Sequence, residues 1–451
     1  MSIAGTALPA APASPGRTSR RSRRHSLGFW VVAAAFLVNM GFSAVPTPLY
    51  VLYQQRDHFS TIMVTVVYAV YAVGVIGSLF LGGHVSDWAG RKRVLVAALL
   101  VNVASALVFL AVPSLPGLLI ARVISGVSVG LTTATATAYL SELHGGIFAG
   151  LPRRRHRSGR RAQVVATAAN LGGIGIGPLV AGLLAQFAPA PLRLPYIVFG
   201  AALVVLALLV AVSPETVERP ETTPGWRPQR IAVPGHARAL FFAATAAGVG
   251  SFAVYGVFNS LAPSFLAGTL HESSHALAGA VAFAAFAAGA AAQIAMSRAG
   301  IRLTLKASPW LLLPGLGLLT GGMWLPSLAM FVAGGILTGA GAGLVFRGAL
   351  AAAGSTAPAE ARAEVLSGFF LGAYLGLSAP VVGLGVATQY APARDVMLVF
   401  VVLAAAAILA SLRAVLSRTG PAETPVASRA TRPRRHGCAA AQRSSGMREP
   451  S

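Results

Sequence analysis

The sequence predicts an all-α polytopic membrane protein: twelve transmembrane helices in two six-helix halves. Hydrophobic residues make up 55% of the 451 positions and charged residues only 10%, where a soluble domain carries about 25% charged residues. Apolar runs of bilayer-crossing length follow one another along the chain. The basic residues gather in alternate connections between those runs. A water-soluble globular protein is therefore excluded, because too little polar surface exists to cover a core of this size. The formal charge of +23, from 35 Lys and Arg against 12 Asp and Glu, would point to nucleic acid in a soluble protein, so its distribution has to decide between nucleic acid and membrane.

The runs cover residues 29–53, 62–83, 94–112, 117–140, 164–187, 196–212, 240–266, 276–296, 307–325, 328–346, 365–390 and 396–412. Each comes near the roughly 20 mostly apolar residues that a spanning helix needs. The 50 glycines do not argue against helices here. Small residues let membrane helices approach closely, and the pairs Gly126/Gly130, Gly173/Gly177 and Gly372/Gly376 each lie four apart on one face.

With the N-terminus inside, the cytoplasmic side collects five arginines before residue 25, the run Arg91-Lys92-Arg93 and six arginines between 153 and 161. It also collects Arg219, Arg227, Arg230 and Arg238, then Arg298, Arg302 and Lys306, then Arg347 and Arg362, and eight arginines from 413 to 448. In all, 31 of the 35 basic residues fall inside, three outside (Arg56, Arg193, Arg394) and one, Arg122, within a span. A wrong helix count would scatter these charges over both faces, so both termini are expected to be cytoplasmic and the charge to report orientation, with no nucleic acid as partner.

Residues 1–27 and 417–451 are polar and basic and are expected to be disordered tails drawn to anionic lipid. A twin-arginine signal at Arg20-Arg21 and a cleaved signal peptide fit poorly, since the first apolar run is too long and eleven more follow. Cys438 is the only cysteine, which leaves no intramolecular disulfide and no cysteine metal cluster. The proline-rich segment 213–239 divides the helices into an N-terminal half, 28–212, and a C-terminal half, 240–416. Aligning Phe29 with Leu240 sets Gly90-Arg91 against Gly300-Ile301-Arg302, which suggests an internal duplication with solute handled between the halves.

The segment Gly83-His84-Val85-Ser86-Asp87-Trp88-Ala89-Gly90-Arg91-Lys92-Arg93 resembles the signature loop of the major facilitator superfamily. It lies, as in that family, just after the second helix on the cytoplasmic side. Arg122 with Gly126 resembles the family's arginine–glycine motif in the fourth helix. Gly173, Gly177, Pro178 and Gly182 resemble the glycine–proline motif of its proton-coupled drug and metabolite exporters, the drug:H+ antiporter branch, and Pro214-Glu215-Thr216 after the sixth helix is also typical. The resemblance covers about residues 28–415. It implies a secondary transporter in the plasma (inner) membrane that works by alternating access as a monomer, without cofactor, metal or enzymatic activity, moving small molecules and, by this branch, protons.

Residue chemistry gives each motif a physical reading. A carboxylate at Asp87 can accept from backbone amides at another helix's N-terminus; the resemblance makes that partner the start of the eleventh helix, near Val365 to Gly368, with Arg91 and Glu142 completing a cytoplasmic latch. Alternatively Asp87 only balances Arg91, Lys92 and Arg93. Arg122, the one charge in a span, is a functional candidate because it is costly to keep there. It also lies about 7.5 Å past Gly117 at about 1.5 Å per residue, near enough to the outer surface to snorkel. Gly173, Gly177, Pro178 and Gly182 serve close packing and a bend.

No acid is expected inside a span, so a proton carrier would have to be a terminal acid such as Asp57, approaching Arg122 from outside, or Asp87. The polar residues Asn39, Asn170, Tyr255, Asn259, Gln293 and Tyr374 are either cavity-lining or interhelical bonding groups. A cavity built from them would be mostly apolar and nearly uncharged, suited to hydrophobic or weakly polar solutes. Efflux of such solutes is the leading expectation; facilitated transport or proton symport of a nutrient such as a sugar, and a non-transporting membrane sensor, are the alternatives.

Overall fold

The computed structural model describes residues 15–83, 85–147, 155–217, 233, 235–357 and 362–419. Among them the chain is helical throughout, in fifteen α-helices. These are α1 (Pro15–Ala44), α2 (Tyr50–Asp57), α3 (Thr61–Gly82), α4 (Val85–Ala89), α5 (Arg91–Ala111), α6 (Leu115–Ile147), α7 (Arg155–Phe187), α8 (Leu194–Ala211), α9 (Arg238–Ser260), α10 (Ala262–Thr269), α11 (His275–Ala295), α12 (Ile301–Trp324), α13 (Leu328–Gly354), α14 (Arg362–Ala387) and α15 (Ala393–Arg418). Eleven of the resulting segments are long and apolar enough to cross a membrane. The remaining expected crossing, α12, has 24 residues, enough for about 36 Å at about 1.5 Å per residue. Pro309 and Pro314 lie inside it, and these, with Lys306, Ser308 and its glycines, dilute its hydropathy.

Two expected spans are broken helices. The first, expected over 29–53, runs as α1, a short 3₁₀ turn at Thr47–Leu49 and α2. Pro46 and Pro48 lack the N–H groups that would bond Phe42 and Ala44, so the α-helix stops at Ala44. The seventh, expected over 240–266, breaks between α9 and α10, where Pro263 cannot bond the Asn259 carbonyl. Backbone at the two chain ends also departs from expectation: helix begins at Pro15, inside the segment read as a disordered tail, and continues to Arg418. The rest of both tails, residues 1–14 and 420–451, and 218–232 and 234 of the linker lie outside the described residues.

Packing repeats between the halves. In the first, α1 lies against α6 and α7, α3 and α5 against α6, and α5 against α8. In the second, α9 lies against α13 and α14, α11 and α12 against α13, and α12 against α15. Each pairing has its counterpart one half later. The core correspondingly falls in two clusters of buried side chains, one drawn mainly from 29–210 and one mainly from 241–415. Where α3 and α6 cross, Gly74 faces the backbone of Val123 and Gly126 that of Tyr71, so a side chain on either glycine would collide with main chain. Contacts of this kind hold helices together where lipid provides no hydrophobic drive between them.

Between the halves, α7 packs on α11 and α3 on α14. The specific contacts there lie from mid-depth toward the face opposite the termini. Ser378 Oγ donates to the Ala69 carbonyl, Gly385 sits on Thr65, Gly279 on Pro178 and Gly182 on His275, while the His275 amide donates to Gln186 Oε1 at 3.0 Å. Thr47 Oγ1 donates to the Asn259 carbonyl at 2.9 Å, and Ser264 Oγ to Gln54 Oε1 at 3.3 Å. Gly126→Leu should weaken the fold by about 1–3 kcal/mol through overpacking, read as a lower melting temperature in detergent. Gly77→Leu, at a position of the same helix α3 with nothing within 4 Å, should leave it unchanged.

Candidate functional site

A cavity of about 710 Å³, its open mouth included, lies between the halves at mid-depth. The first half contributes Ser43, Tyr68, Tyr71, Arg122, Thr133 and Asn170; the second contributes Tyr255, Asn259, Tyr374 and the rings of Phe252, Phe286, Phe346 and Phe370. No carboxylate lines it among the described residues.

Arg122 is the one charged group on this wall, and its placement departs from the snorkelling alternative. The residue is only 2% exposed. Its Nη1 donates to the Ser43 carbonyl at 2.5 Å and its Nε to the Val67 carbonyl at 3.4 Å. Ser43 is the penultimate residue of α1, so its carbonyl belongs to the last turn, where the helix leaves acceptors unsatisfied and the dipole is negative. The guanidinium also stands over the Tyr71 ring at 4.5 Å and the Tyr68 ring at 5.6 Å, contacts that favour a cation once water is excluded. The broken first span therefore holds the arginine inward, and the cavity expected to be nearly uncharged carries one positive charge.

The other expected cavity residues separate. Asn170, Tyr255, Asn259 and Tyr374 reach the cavity. Tyr255 donates to the Gly339 carbonyl at 2.8 Å and stacks on Phe286. Asn39 does not reach it: fully buried, it donates to Thr132 Oγ1 at 2.9 Å and accepts from Asn102 Nδ2 at 2.9 Å and Ser128 Oγ at 3.2 Å, tying α1 to α5 and α6. Gln293 is buried away from the cavity, with its Nε2 unpaired. Asp57 is held by Arg56, at 2.6 and 2.7 Å, and not by Arg122.

Sequence reasoning does not single out Tyr68, Tyr71 or the four phenylalanines. Tyr68 and Tyr71, three apart, share a helix face. An aromatic stripe in an apolar helix reads equally well as core, lipid face or cavity wall.

On the face carrying the termini, the loop motif builds a charged cluster within the first half. Arg91 Nη1 meets Asp87 at 2.5 Å and Ser86 Oγ at 2.7 Å, and its Nη2 and Nε reach Glu142 at 3.0 and 3.1 Å. Asp87 is itself largely exposed, as is Arg93, and no bond joins Asp87 to the start of α14 among the described residues. The hydrogen bonds and glycine contacts described above that join the halves lie away from that face. Gly83 ends α3 with an ordinary backbone bond to Leu79.

Glu215, part of the Pro-Glu-Thr segment, has no role that its sequence position reveals. Its carboxylate accepts from the backbone N–H groups of Arg91 and Lys92 at 3.0 and 3.3 Å, capping the N-terminus of α5 where a negative charge is favoured. Thr216 Oγ1 donates to Glu142 at 2.5 Å, and Tyr139 to the Pro214 carbonyl at 2.6 Å. Gly90 makes room for this cap: its φ is +100°, and a Cβ there would lie 2.6 Å from Glu215 Oε2.

In α7, Gly173 and Gly177 abut the backbone of Leu37 and Gly41 in α1, while Pro178 and Gly182 abut Gly279 and His275 in α11. One motif thus packs its helix against its own half and against the other. Gly372 and Gly376 pack α14 on α9 within their own half, the first on the Thr245 side chain and the second on the Val249 backbone.

A family model described as Major Facilitator Superfamily matches residues 31–308. Two solved structures share the fold. A mutant form of the nucleoside transporter NupG superposes with a TM-score of 0.63 at 14% identity, over 86% of this chain and 99% of that one. The human organic anion transporter MFSD10 (TETRAN) superposes with a TM-score of 0.61 at 18% identity, over 89% and 100%. No curated protein matches the sequence.

Gly90→Ala and Glu215→Gln should each lower stability by about 1–3 kcal/mol, since the first forces a strained backbone into the carboxylate and the second weakens the cap. Because both act on one contact, thermal melting of the double variant should show less than the sum of the two losses.

Proposed function

Because the chain belongs to the major facilitator superfamily, we propose that it is a secondary transporter carrying small, largely apolar solutes out of the cell by alternating access. The supporting observation is the central cavity: both halves line it, and their contacts lie toward one face only. The positive-inside rule supports a plasma (inner) membrane orientation with the basic face, and both termini, in the cytoplasm. The present arrangement then corresponds to the state that receives solute from the cytoplasm.

Transport requires the outward face to open and the inward face to close. In that other state the exposed Asp87 carboxylate is free to reach the start of α14, which gives the latch its part in the cycle: Arg91, Glu142 and Glu215 hold the loop in shape, and Asp87 makes the changing contact. Lys92 contributes its backbone amide to the same cap. Export is the direction that the glycine–proline motif of α7 supports. Protons are the proposed drive, and Asp57 and Asp87, both at helix ends, are the acids that would carry them.

A short bifunctional cross-link between Gln54→Cys and Ser264→Cys, in a Cys438→Ser background, should hold the outward face shut and abolish flux in proteoliposomes, with flux returning on cleavage. Continued flux in the cross-linked protein would exclude alternating access through this face. In the same vesicles, solute flux should rise several-fold when a proton gradient is imposed against the direction of solute movement; flux indifferent to the gradient would remove protons from the cycle.

A further inference from the structure

We infer that the central cavity selects organic monoanions, with the anionic group bound by Arg122 and Tyr68 and an aromatic or alkyl body seated against the phenylalanine wall of the second half. The inference rests on the transport reading only in taking the cavity as the solute site.

Two observations on different side chains point to an anion. Arg122 is buried and charged, yet no carboxylate pairs with it among the described residues. Two of its nitrogens are spent on backbone carbonyls, and Nη2 has no hydrogen-bond acceptor among the described residues. Carbonyl dipoles and ring faces lower the cost of burying the cation but leave its full charge in a water-poor site, where a counter-charge is worth far more than in solution. The second observation is Tyr68: 3% exposed, it lines the same cavity, and its hydroxyl lies beside Asn259 without completing a hydrogen bond. The Tyr68 O–H and the Arg122 Nη2, sharing one pocket, are donors of the kind that a carboxylate's two oxygens accept.

The number of charges sets the class. One arginine balances one negative charge, and the remaining wall is largely rings and amides, so a dicarboxylate or a doubly ionised phosphate would bring a charge with no partner. The division between halves sets the shape. Arg122 and Tyr68 belong to the first half, while Phe252, Phe286, Phe346 and Phe370 belong to the second. A solute with an ionised head and an apolar body therefore bridges the two halves, and its affinity depends on how they are juxtaposed, which a ligand must do to bias a two-state carrier.

Purified full-length protein should bind 1-naphthoate at least tenfold more tightly than 1-naphthamide, its neutral near-isostere, by calorimetry at neutral pH. Arg122→Gln should erase that preference. Tyr68→Phe, which keeps the ring, should weaken naphthoate several-fold and leave naphthamide unchanged, a split that loss of fold would not produce. Equal or tighter binding of the amide, an undiminished preference in both variants, or no binding of either probe by folded protein would overturn the assignment. Flux assays separate it from the transport reading. Naphthamide carried as well as naphthoate by reconstituted protein sinks the anion preference and keeps transport, whereas anion-selective binding without flux of any probe keeps the site and removes transport.

Discussion

Backbone groups inside a bilayer have no water to turn to, so every interruption of a membrane helix must be repaired by a side chain or by another backbone group. This protein interrupts two of its membrane helices, and much of its central architecture follows from the repairs. Prolines 46 and 48 stop α1 and leave carbonyls in its last turn; Arg122 answers the one on Ser43. Pro263 strips the Asn259 carbonyl of its helical partner, and Thr47, from the break in the other half, answers that one. The first repair brings a charge into the cavity. The second joins the two halves at the face where they meet. Both breaks fall on the helix that opens each half, as an internal duplication requires.

Around those breaks the bundle is held by close approach. Gly74 and Gly126, Gly41 and Gly177, and Val249 and Gly376 put backbone against backbone. The same pairs of helices recur in each half. Rings fill much of the volume that remains at the centre, so the cavity wall has little polarity apart from the arginine, the tyrosines, two asparagines, Ser43 and Thr133.

The charged cluster on the opposite side of the molecule obeys a different constraint. There the loop between α3 and α5 reverses through a glycine at φ +100°, and Glu215 from beyond α8 caps the helix that follows. Arg91 then has three oxygen partners from two segments. This ties the exit of α8 to the loop after α3 and leaves Asp87 largely exposed.

Composition, run length and the sorting of basic residues determined a great deal alone: membrane residence, the number of crossings, the division into similar halves and the loop motif. All of these depend on local hydrophobicity or on linear order, which the sequence carries directly. Asp87, Arg91 and Glu142 could be grouped because they lie at helix ends, where topology alone says which residues share a face. Side-chain direction is not written that way. Asn39 and Asn170 are the same residue type in similar helices, yet one spends its amide between helices and the other meets the cavity. Arg122 had two destinations along one helix, the lipid surface or the centre, and the choice fell to a helix end on a different segment that offered it a carbonyl. Glu215 is more than a hundred residues from the amides it caps. Only tertiary structure decided these points, because each depends on which acceptor or ring stands opposite a side chain once the helices are packed.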